Sequence, residues 1–199
     1  MNENSKYEGW KRVYEDYPLE ALPWELGKPR KVLVELIESG RIGKGRALDI
    51  CCGAGTNTVY MTLKGFEVTG MDIAPKAIEM AKEKAKKAGV DIRFISGNVV
   101  HPPFKDEEFD FIFDMGCFHH ILPEDREAFI KGVHRTLRVG GKYFLTCFSY
   151  KNGRAWNHFT EDDIIRHFSG YFRIKELKHY SSLEGDGVIR YFYSVLMEK

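Results

Sequence analysis

Apolar positions along this chain follow two different periods, and the changes between them mark out its elements. Ala47 to Ile50 is a short apolar run interrupted by Asp49, and it stops at Cys51-Cys52-Gly53-Ala54-Gly55. A helical pattern then runs from Thr56 to Lys64, with Gly65 placed to end it. The pattern predicts a strand, a tight turn and a helix. Phe66 to Asp72 predicts the next strand. Pro75 opens a helix that puts Ala77, Ile78, Ala81, Ala85 and Ala88 on one side, and Gly89 closes it. Asp91 to Ser96 and Phe109 to Asp114 predict two further strands. Pro123 to Leu137 predicts a helix with Phe129, Ile130, Val133 and Leu137 inward, and Lys142 to Phe148 a fifth strand. Thr160 with Asp163 three residues on is a helix N-terminal capping signature, with Ile164, Ile165 and Phe168 as the apolar side.

The C-terminal stretch discriminates between folds. Tyr171 to Ser181 and Val188 to Met197 both read as strands, separated only by residues 182–187. A parallel crossover needs about a dozen residues or more, so this pair must be an antiparallel hairpin. Strands alternating with helices, closed by a hairpin, predict an α/β fold: a Rossmann-like, doubly wound sheet of seven strands whose final strand is antiparallel.

The N-terminal stretch has a different texture. Trp10, Tyr14 and Tyr17 fall at helical spacing and predict one aromatic stripe, with Trp10 and Tyr14 packed on the body of the domain. Pro23-Trp24-Glu25-Leu26-Gly27-Lys28-Pro29 carries two prolines and a glycine, which predicts a fixed loop able to present an indole over a ligand. Pro29 then leads into a helix with Val32, Leu33, Leu36 and Ile37 on one face.

The chemistry centres on the glycine turn. Gly53 and Gly55 let a backbone approach a ligand where a side chain would collide. Asp72, 19 residues after Gly53 at the end of the next strand, can accept both hydroxyls of a ribose. Together they predict a cofactor containing adenosine. A dinucleotide site needs a third glycine three residues after the second, and here that position is Thr58. A substituent at Gly55 is expected to fill cofactor space with little loss of fold.

Asp49-Ile-Cys-Cys-Gly-Ala-Gly-Thr resembles motif I of the class I S-adenosylmethionine (SAM)-dependent methyltransferases, and Asp72 resembles their ribose acid. Their usual pattern has glycine where this chain has Cys51, and the small thiol reads as a tolerated variant. The resemblance implies a cofactor site of Asp49, Cys51, Gly53, Gly55, Asp72, Ile73, Asn98, Val99 and Asp114. Asn98 stands where those enzymes commonly carry an acid at the adenine amino group. Its amide oxygen can still accept that bond, and the backbone N–H of Val99 would meet a ring nitrogen. A turn asparagine is the competing reading. Asp114 would hold the cofactor's ammonium or cap a turn. Leu137-Arg-Val-Gly140-Gly141 resembles the turn before the fifth methyltransferase strand. Trp10 with the Trp-acid-x-Gly segment at Trp24 resembles the N-terminal lid of the thiopurine, thiol and halide methyltransferases and their tellurite-resistance relatives. That likeness implies one domain over 1–199, with 1–28 as the lid.

The substrate pocket is expected from the lid and the loops after the fourth and fifth strands: Trp24, Cys117, His119, His120, Trp156 and His158. Either His119 or His120 is a candidate base or orienting group; the alternative has one stacked on the core and the other lining the pocket without exchanging protons. No catalytic triad is visible, and no metal-ligand spacing recommends a metal site. The resemblance implies SAM as cofactor, S-adenosylhomocysteine as product, and a small soft nucleophile as acceptor: a thiol, thiopurine-like sulfur, halide or chalcogen. A small oxygen or nitrogen nucleophile, and a non-catalytic SAM-binding module, are the alternatives.

Composition narrows the partners. With 30 basic and 29 acidic residues, a net charge of +1 supplies no field toward nucleic acid or an anionic membrane. The sequence Asp114-Met-Gly-Cys also lacks the Asp/Asn-Pro-Pro-aromatic motif usual in methyltransferases of exocyclic base amines. The polar, aromatic N-terminus and the absence of a long apolar run predict neither leader nor membrane span. Four cysteines without C-x-x-C spacing suggest reduced thiols in the cytoplasm. A monomer and a dimer are equally compatible with the chain.

Overall fold

The structure is a computed structural model that describes residues 6–199. Residues 1–5 of the expected lid lie outside the described residues. The chain divides into two compact units: Met1–Val99 with Glu184–Val188, and Val100–Leu183 with Ile189–Lys199.

The first unit holds three parallel strands in the order β3-β2-β1: β1 (Arg46–Ile50), β2 (Glu67–Asp72) and β3 (Arg93–Ser96). After their exposed first residues, β1 and β2 are buried throughout, as strands covered on both faces must be. Four helices accompany them: α1 (Glu8–Asp16), α2 (Lys31–Glu38), α3 (Thr56–Leu63) and α4 (Pro75–Ala88). Pro75 opens α4 and Gly89 ends it in the left-handed region, both as the sequence predicts. The aromatic stripe is only partly realised. Tyr14 is buried in a cluster with Leu22, Ala74 and Ala77, Trp10 is half-buried, and Tyr17 lies beyond the helix, 57% exposed. After a short 3-10 turn at Leu19–Ala21, residues 22–30 carry no regular structure.

The second unit holds four strands in the order β4-β5-β7-β6: β4 (Phe109–Met115), β5 (Leu137–Phe148), β6 (Arg173–Leu183) and β7 (Ile189–Glu198). β4 is parallel to β5, and β7 runs antiparallel to both β5 and β6, so the hairpin inference holds. The helices α5 (Arg126–Thr136) and α6 (Glu161–Phe168) complete the unit. Thr160 and Asp163 form the expected capping box on α6. Pro123–Asp125 is a separate 3-10 turn ahead of α5. β5 begins five residues earlier than its periodicity suggests, at Leu137 instead of Lys142. The two glycines lie inside the strand, with Gly140 at φ +74°, where the Gly140 N–H donates to Lys199 O and the Lys199 N–H donates to Gly141 O. The pairing register shifts between Phe109 and Phe111 in the same region, a bulge that a period-2 pattern cannot reveal. The core is aromatic: Phe118 packs on Phe129, Phe159 and Phe168, and Tyr143 on Phe168 and Phe172. No helix among the described residues is long and apolar enough to cross a membrane.

Cys52 and Cys147 are free thiols.

Candidate cofactor and substrate site

The glycine turn is shaped by what packs on it. Cys51, Gly53 and Gly55 all have positive φ, at +58°, +53° and +77°. Glycine is usual at the Cys51 position for backbone reasons, so the reading from side-chain size needs correcting: a left-handed residue with a Cβ is strained by about 1–2 kcal/mol. A Cβ on Gly53 would sit 2.7 Å from the Tyr14 hydroxyl, and one on Gly55 would sit 2.8 Å from the Ala81 Cβ on α4. The space beside Gly55 thus belongs to helix packing, and the expectation that a side chain there would block cofactor with little loss of fold is overturned.

Asp72 ends β2 with its carboxylate turned to the same loop. One oxygen accepts the Gly53 N–H and the other the Ala74 N–H, both at 2.9 Å. Burial raises its pKa, and those backbone N–H bonds oppose the rise. Asp49 is buried, and its carboxylate accepts the Thr58 hydroxyl at 2.6 Å. Burial pushes Asp49 up to about 7, the Thr58 bond lowers it, and Asp72 raises it further. The residue that displaces the third dinucleotide glycine therefore has a task of its own, holding the motif I acid. Ile73 and Asn98 are half-buried and Val99 is buried.

The Trp24 segment reaches this turn. Its indole N–H donates to the Tyr14 hydroxyl at 3.1 Å, and the rings of Trp10 and Tyr14 lie edge-on to it. Glu25 accepts the Thr56 hydroxyl at 2.8 Å and the Gly27 N–H at 3.0 Å, with Lys84 3.5 Å from its other oxygen. Thr56 is the first residue of α3, so an acidic side chain sits at a helix N-terminus that favours it. Tyr14 and Glu25 were not among the expected site residues. Glu25 was legible as the acid of the Trp-acid-x-Gly segment, whereas the position of Tyr14 depends on α1 packing over α4, which no local pattern announces.

S-adenosylmethionine fits this loop. The Asp72 carboxylate offers about four acceptor sites; the Gly53, Ile73 and Ala74 N–H groups take up three, which leaves one for a ribose hydroxyl.

In the second unit, the expected residues cluster around β4 and β5. Asp114 is fully buried: one oxygen accepts the Cys117 N–H at 2.7 Å and the other the Tyr143 hydroxyl at 2.9 Å. Of its two expected roles, the structure shows the turn cap. His119 stacks on Phe148 with ring centres 3.9 Å apart, and its Nδ1 accepts the Phe148 N–H at 3.2 Å. The neutral ring therefore carries its proton on Nε2. Burial holds His119 well below the ordinary imidazole range, with His120 and His158 adding to the effect, and burial lowers His120 to about 4. His158 is half-buried, with Nδ1 2.7 Å from Gly153 O. Trp156 is 52% exposed. Its carbonyl accepts from Arg126, whose guanidinium lies over the rings of Phe118, Trp156 and Phe159.

The fold, with its glycine turn and the acid at the end of β2, is that of the class I SAM-dependent methyltransferases. Residues 47–141 match the family model described as a methyltransferase domain. A probable thiol methyltransferase of Arabidopsis thaliana is 33% identical over 152 residues, covering 74% of this chain and 64% of its own length. The 2-heptyl-1-hydroxyquinolin-4(1H)-one methyltransferase of Mycobacteroides abscessus is 31% identical over 127 residues, covering 63% of this chain and 56% of its own. The chain thus spans less than two thirds of either relative. A structure solved in work on conversion of a disulfide bond into a thioacetal group during echinomycin biosynthesis superposes with a TM-score of 0.86 at 21% identity, over 98% of this chain and 92% of its own.

Proposed function

We propose that the chain is an enzyme that methylates a small-molecule soft nucleophile: a thiol, thiopurine-like sulfur, halide or chalcogen. The observation that carries this reading is the packing of His119, which is buried, stacked on Phe148 and engaged at Nδ1 by the Phe148 N–H, with burial lowering the basicity of both His119 and His120. Bound S-adenosylmethionine would supply an electrophilic methyl group on a sulfonium, with a neutral thioether as its leaving group. The protein's share is alignment and exclusion of water. A base is needed only for a nucleophile that arrives protonated, and a weakly basic imidazole serves a phenol or an ammonium poorly. A halide needs no base, and a thiol ionises close to neutral pH. The resemblance to a thiol methyltransferase and the Trp24 segment beside the glycine turn support the same class. The hydroxyquinolinone relative favours a second reading, transfer to a small oxygen or nitrogen nucleophile.

A SAM-consumption screen across thiols, iodide, selenite, tellurite, phenols and amines tests the choice. Turnover with the sulfur, halide or chalcogen acceptors is expected. Turnover confined to phenols or amines would replace the first reading with the second. SAM binding without turnover on any acceptor would leave a binding module.

A further inference from the structure

The Trp24 segment is fastened from a distant part of the chain. Arg30 and Glu184 lie 154 residues apart in sequence and form a two-pronged ion pair, Nη1 to Oε1 and Nη2 to Oε2, both at 2.8 Å. Arg30 is 7% exposed and Glu184 6%. The same Nη2 donates to the Trp24 carbonyl at 2.8 Å. Next to Glu184, the Gly185 N–H donates to the Pro23 carbonyl at 2.7 Å, and a Cβ on Gly185 would sit 3.0 Å from that oxygen. The Arg30 N–H donates to Asn57 on α3. Of two successive lid carbonyls, that of Pro23 is thus held directly by Glu184–Val188, the short stretch that joins the first unit from the C-terminal hairpin, and that of Trp24 is held by Arg30, whose guanidinium Glu184 fixes.

A buried ion pair is a poor device for stability alone, because desolvation offsets most of its attraction and apolar residues of like volume often serve as well. A planar guanidinium is suited to fixing geometry: it binds a carboxylate with two parallel bonds and still directs a donor at a carbonyl. We propose that Arg30 and Glu184 are positioning residues that hold the Trp24 segment in register over the glycine turn, and so set how tightly cofactor is retained, without touching it themselves. This rests on the reading of the segment as a lid.

The test uses the full chain with Trp10→Phe and Trp156→Phe, in which Trp24 is the remaining indole. Arg30→Met/Glu184→Met replaces the pair by apolar groups and leaves no buried charge. Arg30→Lys keeps the charge but cannot span carboxylate and carbonyl together. Three quantities are read: S-adenosylhomocysteine affinity by calorimetry, its effect on Trp24 fluorescence, and its protection of residues 7–28 from protease. Both variants are expected to melt as folded proteins, to bind S-adenosylhomocysteine about tenfold more weakly or worse, and to lose the fluorescence change and the protection. A folded double variant with parental affinity, fluorescence response and protection overturns the proposal. Trp24→Ala separates it from the lid reading. Impairment in Trp24→Ala without impairment in the double variant refutes the clamp alone, and parental behaviour in Trp24→Ala refutes the lid and the clamp with it.

Discussion

Gly55→Ala should damage the fold before it damages binding. A Cβ built on Gly55 lies 2.8 Å from the Ala81 Cβ and 3.2 Å from its Cα, whereas the Phe94 ring at 3.5 Å is an ordinary contact. Carbon atoms prefer separations of about 3.5–4.0 Å, and Ala81 belongs to the body of α4, so the conflict is not relieved by turning a flexible side chain. Overpacking of this kind costs about 1–3 kcal/mol. The φ of +77° adds about 1–2 kcal/mol for an L-residue, so the expected loss is about 2–5 kcal/mol. Ala81→Gly opens the space but puts glycine in a helix interior, at about 1 kcal/mol. The double variant should then lose about 2–3 kcal/mol, less than the two single losses together, with a coupling of about 1–3 kcal/mol. Urea denaturation of the parent, both single variants and the double variant, at unchanged m, measures the cycle. A Gly55→Ala midpoint equal to the parent's, or strictly additive losses, would show that α4 does not close on the turn as described.

Three other outcomes are expected. Asp72→Ala should weaken SAM binding tenfold to a hundredfold or more, since a hydrogen bond to a charged group contributes about 1.5–3 kcal/mol; unchanged calorimetric affinity in folded protein would remove Asp72 from the site. Asn98→Asp should bind SAM at least as tightly as the parent and Asn98→Leu more weakly, because a carboxylate is the stronger acceptor; identical affinities would make Asn98 a turn residue only. Asp49 has a folded pKa of about 7, above its unfolded value, so the folded state binds the extra proton and cofactor-free stability should fall as pH rises from about 4 to 7. Asp49→Asn should flatten that slope in urea melts taken across the window, and a slope unchanged by the substitution would count against a buried, proton-binding Asp49.

The sequence made the frame legible wherever one period or one special residue decides an element. Gly55, Gly65, Pro75 and Gly89 bound two helices, and the short 182–187 connection forced an antiparallel pair. It was silent where the deciding partner lies far along the chain. Thr58 advertised only the absence of a glycine, and its bond to Asp49 appears when α3 packs on β1. Cys51 looked like a question of size and is a question of φ. Asp114 offered two roles, and its partners, the Cys117 N–H and the Tyr143 hydroxyl from β5, could not be read from any local pattern. For the histidines, the sequence allowed a base or a stacked pair, and burial against Phe148 lowers their basicity.

The span between Arg30 and Glu184 also orders events during biosynthesis. A ribosome adding about 5–20 residues per second needs roughly 8–30 s to progress from one to the other, a separation of 154 residues. Once Ser96 has been added, β1, β2, β3 and the glycine turn are all synthesised, and for the rest of that interval the Arg30 guanidinium still lacks Glu184. The Trp24 carbonyl is likewise left to water. The nascent first unit therefore passes through a stage with its glycine turn complete and the Trp24 segment unfastened, and fastening waits for Glu184 to leave the exit tunnel.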